Sequence, residues 1–280
     1  MDVGVGLPAA IPGTSGSRLL EWALLADELG FSSVGVLDRL IYGNFEPVTT
    51  LAAAAAVTQR VRLAATVLVA AYRGNAALLA KQLATVQEIA AGRLVVGVAC
   101  GGRADDFLGS AVPFSGRGHR LDATIATLRE TWDGQGSAIG PRPAHGIPVL
   151  VGGHSPAAMR RAARAGDGWI AGGTSATPYE GLARQARRAW TAEGRTDQPR
   201  MAAIAFFALG PDAISHTTRF HRDYYGGAYA DKAIKATLVG SVNLAAAVKR
   251  YAMAGCEELI LFPCHADTEQ LTLLAKTVLG

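Results

Sequence analysis

Short apolar runs and amphipathic runs alternate along this chain from end to end, and that alternation limits what it can fold into. The runs at 3–7, 33–37, 61–69, 94–98, 147–151, 168–171, 201–209 and 258–262 are nearly continuous in apolar residues. That is the pattern of strands buried on both faces. Between them lie stretches with helix start and stop signals. Ser17 starts an amphipathic run that Gly30 closes, and Pro47 opens an alanine-rich run to about Thr58. A helix over 75–90 ends at Gly92, and others are expected over 119–132, from Pro156, and over 178–193, 242–254 and 268–279, with 104–118 as a longer loop. Such alternation predicts a parallel sheet wrapped by helices. Eight units match a (β/α)8 TIM barrel, typically about 250 residues. The reading is α/β, one domain over 1–280, with an insertion after strand 7 over 211–238. A doubly wound sheet is disfavoured, because no GxGxxG follows the first strand.

Composition narrows the function classes. The chain is 50% hydrophobic and 18% charged, enough apolar surface for a full core. Its net charge of +4 is small, and no Lys/Arg run or aromatic–basic alternation speaks for a nucleic-acid partner. Cys100, Cys256 and Cys264 fit no metal-ligand spacing and cannot all pair, so no metal site and a reducing compartment are expected. The N-terminus lacks the pattern of a signal peptide, and runs such as 51–57 are too short to span a bilayer. A cytoplasmic protein with no membrane partner is the expectation.

In such a barrel the chemistry sits at the C-terminal ends of the strands. Those ends read Leu7-Pro8, Asp38-Arg39, 69–72, 100–103, 152–155, 172–175, Phe206-Phe207 and 262–265. They hold few carboxylates and many glycines and apolar residues, which suits a planar ligand with a phosphate tail better than hydrolysis. The stretch PVLVGGHSPAAMRRAARAGDGW (148–169) is the most telling. A buried strand delivers Gly152 and Gly153 to a helix that Ser155 caps and Pro156 opens. Two readings stand: a tight βα turn, or an anion site on the free N–H groups and the positive end of the helix.

Other residues keep two readings as well. Asp38-Arg39 is either a site pair or a strand-end salt bridge, and Cys100 either a small buried hydrophobe or a reactive thiol. His154 either touches the anion or faces solvent, and His119 is either a helix cap or a site residue. Trp169 reads as core. The insertion gathers Phe220, His221, Tyr224, Tyr225 and Tyr229 with Arg219 and Arg222, a composition for a lid over the mouth or for a helical hairpin on its rim.

Six segments, taken in order, resemble the bacterial luciferase-like superfamily of flavin- and deazaflavin-dependent oxidoreductases. They are LADELGFSSVGVLDR (25–39), VRLAATVLV (61–69), LLAKQLATVQEIAAGRLVVGVACGG (78–102), GRGHRLDATIATLRETW (116–132), the 148–169 stretch and GCEELILFP (255–263). The resemblance implies a (β/α)8 barrel that binds reduced FMN or the deazaflavin coenzyme F(420) at its mouth. It places Gly152, Gly153, His154 and Ser155 on the cofactor phosphate. It puts a non-prolyl cis peptide at Thr66–Val67 in a bulge behind the ring system, with Cys100 and Gly101 alongside. It further implies a small organic substrate, monooxygenation or direct hydride transfer according to the cofactor, and a homodimer formed through the helices at 47–58 and 75–90.

One departure bears on mechanism. The family commonly carries an acid–His pair after the second strand, and here Asp38 is followed by Arg39. An arginine stays protonated and is no ordinary base, though it stabilises an anion. The expected catalytic residues are therefore Asp38, Arg39 and His119, with His221 and His265 as further imidazoles. A sugar-phosphate barrel enzyme ranks below, for want of a strand-end Lys or Glu, and a non-catalytic flavin carrier is the reading from another class.

Overall fold

The computed structural model describes residues 1–134 and 138–280. Its strands are β1 (Asp2–Gly6), β2 (Ser33–Val36), β3 (Arg62–Leu68), β4 (Leu94–Val98), β5 (Val149–Gly152), β6 (Gly168–Ala171), β7 (Arg200–Ala208), β8 (Leu238–Val239) and β9 (Glu258–Pro263). The helices are α1 (Gly16–Leu29), α2 (Pro47–Val57), α3 (Ala76–Ile89), α4 (Ala104–Gly109), α5 (Arg117–Trp132) and α6 (Pro156–Ala165), then α7 (Ala176–Ala192), α8 (Ala213–Tyr224), α9 (Gly227–Ala236), α10 (Ser241–Met253) and α11 (Glu269–Val278). Neighbouring strands pair in parallel from β1 round to β7; β7 pairs with β9, and β9 with β1. Eight strands thus close a (β/α)8 barrel.

The alternating pattern of the strands explains the two layers of core. Val96, Val98, Val149 and Val151 pack outward against the helices, while Val95, Leu150, Ile170, Ile204 and Ile260 fill the interior. Gly6 has a packing role: a Cβ there would lie 2.1 Å from the Phe262 ring, so the bare backbone makes room for a large interior side chain.

Several boundaries differ from expectation, each for a local reason. Helix α1 begins at Gly16, because Ser15 Oγ accepts the Arg18 N–H at 3.2 Å and takes the cap that Ser17 was expected to hold. The 104–118 stretch contains α4, whose buried residues are only Asp106 and Phe107, too few to show a helical period. The insertion is a helical hairpin of α8 and α9, and Leu238 and Val239 after it pair with Phe207 and Ala208 as a short extra strand. The strand that closes the barrel is consequently the ninth.

The N-terminal end of the barrel is sealed by charge. Glu258, 3% exposed, meets Arg62 at 2.9 Å and Arg200 at 2.6 Å. Ser32 Oγ donates to the same carboxylate at 3.0 Å. Burial pushes its pKa up, yet Arg62 and Arg200 outweigh it and hold it below the usual value. Among the described residues no helix is long and apolar enough to cross a membrane.

Candidate active site

The mouth is organised by the passage from β5 into α6. Ser155 Oγ accepts the Ala158 N–H at 3.2 Å, and Pro156 fills the first helical position. No acidic residue lies in the first turn, so the positive helix end keeps no counter-charge from its own helix. Gly153 has φ +131, and a Cβ would stand 2.7 Å from Ala158 Cβ, so the cradle requires glycine. Gly152 lies under Val67, where a Cβ would be 3.3 Å from both valine methyls. Trp169, read as core, is fully buried and also donates its indole N–H to Gly153 O at 2.8 Å, fixing the turn from below.

Gly152, Gly153, Ser155 and Ala158 line a cavity of about 550 Å³ together with Val67, Cys100, Gly101, Gly102, Arg117 and Arg161. The peptide Thr66–Val67 is cis, and the β3–β4 register shifts between Ala65 and Leu68, so a bulge pushes Val67 into the cavity wall. Thr66 is buried behind it, with its hydroxyl donating to Val36 O at 3.0 Å. The Cys100 thiol is pushed up by burial, against the pull of Arg161 and Arg117, and stays protonated at neutral pH.

Two arginines that sequence reasoning passed over supply the charge. Arg161 is held by Asp122, with Nε 2.5 Å from the carboxylate. Arg117 donates only to the carbonyls of Gly101 (3.2 Å) and Phe114 (3.3 Å), and its guanidinium lies 3.9 Å from the Phe114 ring centroid. Among the described residues it has no carboxylate partner. A cation with only neutral partners, beside a helix N-terminus, is an arrangement for an anion.

Asp38 and Arg39 are turned to other work. Asp38 accepts the Val69 N–H at 2.8 Å, the Tyr72 hydroxyl at 2.6 Å and Arg73 at 3.3 Å, which pins the chain just after the bulge. Arg39, its side chain 5% exposed, pairs with Asp106 at 2.8 Å and Asp105 at 3.1 Å. It also donates to the carbonyls of Ile41 and Tyr224. The salt bridge expected between these two neighbours does not form among the described residues: Asp38 pairs with Arg73 instead, and Arg39, paired with Asp105 and Asp106, ties the end of β2 to α4 and to the end of α8.

The histidines separate by place. His119 is exposed on α5 and lies outside the cavity lining. His221 is fully buried among Phe206, Phe220 and Tyr225. Thr237 Oγ1 donates to Ala233 O, so His221 Nε2 donates to Thr237 at 2.7 Å, while Nδ1 has no partner among the described residues. Burial drives its pKa down to about 4. His265 stacks on His216 at 3.9 Å in a separate cavity formed with α1 and α8. His154 keeps part of its ring open to the cavity, and the surrounding protein still holds its pKa below the usual imidazole value. Of these imidazoles, His154 stands at the cradle.

The whole of this architecture has relatives. A family model described as luciferase-like monooxygenase matches residues 1–254. An F(420)-dependent glucose-6-phosphate dehydrogenase of Kribbella flavida is 29% identical over 246 residues, covering 79% of this chain and 74% of that protein. An F(420)-dependent secondary alcohol dehydrogenase, solved with an F(420)–acetone adduct, superimposes with a TM-score of 0.83 at 17% identity, covering 99% of this chain and 98% of the other. The oxygenating constituent of 3,6-diketocamphane monooxygenase from Pseudomonas putida, a type II Baeyer–Villiger enzyme solved with FMN, gives 0.74 at 16% identity, covering 99% and 98%. At such identities the two structures attest the fold, and the family model carries the assignment: the chain belongs to the luciferase-like monooxygenase family.

Proposed function

We propose that this protein is an oxidoreductase that uses reduced F(420) or FMN to act on a small organic substrate, with F(420) as the favoured cofactor. One observation carries the reading: the bulged Thr66–Val67 strand and the Gly152–Gly153–Ser155 cradle line one cavity of about 550 Å³. The residues suit such a group, because glycines leave the backbone bare, the helix end is positive and Arg117 lacks a carboxylate. When bound, the cofactor supplies a hydride, or with FMN the means to use O2. The name of the Kribbella relative speaks for the deazaflavin.

The chain's own residues then have distinct tasks. Gly152, Gly153, Ser155 and Arg117 hold the phosphate, and Val67, backed by Thr66, presents an apolar face to the ring system. Cys100 and Gly101 form the adjoining wall. Neutral His154 accepts or relays a proton at the cavity edge, a role that His119, on the outer face of α5, does not fill. Asp38 and Arg39 position the strand ends and the cover made by 211–238 without touching the reacting atoms. The domain works as a homodimer in the cytoplasm, joined through α2 and α3, where Leu78 (50% exposed) and Ile89 (48%) give the outer face apolar side chains. Absorbance titration with each cofactor tests the reading. Saturable binding of one of them is expected, and binding of neither would overturn it.

A further inference from the structure

Beside the cradle lies a second cavity of about 570 Å³ that shares His154 and Gly172 with the first. One wall is Phe206 on β7, and the other is Tyr225 and Tyr229 from the α8–α9 hairpin. The Tyr225 ring meets Phe206 edge-on, with centroids 6.2 Å apart at 86°. Ala233 and Ala236 keep the α9 side shallow, and at Gly173 a Cβ would come only to 3.8 Å from the Tyr225 hydroxyl and 3.9 Å from Phe206. Among the described residues the lining contains no carboxylate, and its one cation is Lys232 at the rim. The Lys232 ammonium lies 5.7 Å from the Tyr229 ring centroid and has no acidic partner among the described residues.

Aromatic walls without carboxylates favour flat apolar bodies, which gain contact area and edge-to-face geometry there. A polyhydroxylated ligand would need hydrogen-bond partners along its length, and the lining sets only the hydroxyls of Thr174, Ser175, Tyr225 and Tyr229 among apolar Pro178, Ile204, Ala205, Phe206, Ala233 and Ala236. A single exposed ammonium matches one negative charge better than a phosphate dianion.

From this we infer that the second cavity is the substrate pocket, and that it takes a planar aromatic molecule bearing one carboxylate or ionised phenol, its rings between Phe206 and Tyr229 and its charge at Lys232. The inference rests on the cofactor occupying the first cavity. It separates this chain from the sugar-phosphate substrate in the name of its Kribbella relative.

The test is a fluorescence titration of the full chain with 2-naphthoate, in the absence and presence of saturating FMN or F(420). Binding is expected to persist or tighten with cofactor present. Ala233→Trp, which fills the cavity from α9, should weaken it at least tenfold, with cofactor affinity kept as the sign of intact folding. Tyr229→Ala, at a side chain 73% exposed, should weaken it severalfold without risk to the fold. Lys232→Met should cost 2-naphthoate about threefold, the scale of an exposed ion pair, and leave neutral 2-naphthol within twofold. Displacement of the probe by cofactor, displacement by glucose 6-phosphate, or indifference to Ala233→Trp would each overturn the inference. Binding that responds to Ala233→Trp in a protein that takes neither cofactor would sink the cofactor reading while keeping the pocket. Cofactor binding without probe binding would do the reverse.

Discussion

At the N-terminal end of the barrel, Glu258 is shut in with Arg62 at 2.9 Å and Arg200 at 2.6 Å, a buried carboxylate met by two cations. At the C-terminal end the arginines divide. Arg39 and Arg73 are paired with Asp106, Asp105 and Asp38, whereas Arg117 is left with carbonyls and a phenyl ring. The difference teaches how to tell a strut from a site. A buried guanidinium matched by carboxylates holds elements together. One left unmatched beside a helix N-terminus awaits an anion. By that criterion the arginine beside Asp38 is a strut, and the cavity-facing cation without a carboxylate is Arg117, which lies in the 116–132 segment but was not singled out there.

The comparison is open to direct attack. Arg39→Ala should have the largest effect, about 3–4 kcal/mol of stability, because it strands the buried Asp106 carboxylate. Chemical denaturation would measure that loss, and cofactor affinity per folded molecule should stay within twofold. A large affinity loss with little destabilisation would return Arg39 to the site.

Acid should undo the mouth before the floor. The pKa of His221 is about 4 in the fold and near 6.5 in the unfolded chain, so the unfolded state binds the extra proton between those values. Its contribution is fully present above about pH 6.5 and is lost as pH falls towards 4, about 3 kcal/mol at most by that linkage. Glu258 has a lowered folded pKa, so its contribution is present above the ordinary carboxylate value and disappears only below it. Hydrogen exchange followed from pH 7 to 4 should show α8 and α9 loosening while β9 stays protected. His221→Gln should flatten the upper part of that profile, and simultaneous loss of both regions would contradict the division. Glu258→Ala should cost about 2 kcal/mol, less than breaking a fully buried pair, because Arg62 and Arg200 retain 31% and 26% side-chain exposure and can hydrate.

Much of this was legible beforehand, and what was not has a physical cause. Buried parallel strands are written as apolar runs, so the order of the barrel could be read from 3–7 through 258–262. The cradle was legible because its glycines, cap and proline are contiguous in the chain. The pairing of Arg39 with Asp106 spans 67 positions, and periodicity carries no trace of it. Helix α4 was hidden for a related reason, since only Phe107 among its six residues is an apolar core side chain. Arg117 fell at the end of the loop expected over 104–118, and its place at the cavity depends on β4 and α6 arriving beside it. Trp169 was read correctly as core, but its hydrogen bond to Gly153 depends on the β5–β6 register.

The unmatched cation and the glycine cradle are proposed to bind a cofactor phosphate. The most direct test of that role is an absorbance titration of wild type and Arg117→Ala with F(420) and with FMN. Wild type is expected to bind at least one cofactor saturably. Binding should be about tenfold weaker in Arg117→Ala, the scale of one charge-assisted hydrogen bond, with the unfolding free energy changed by about 1 kcal/mol or less. Equal affinity in the two proteins, or binding of neither cofactor by wild type, would contradict that role.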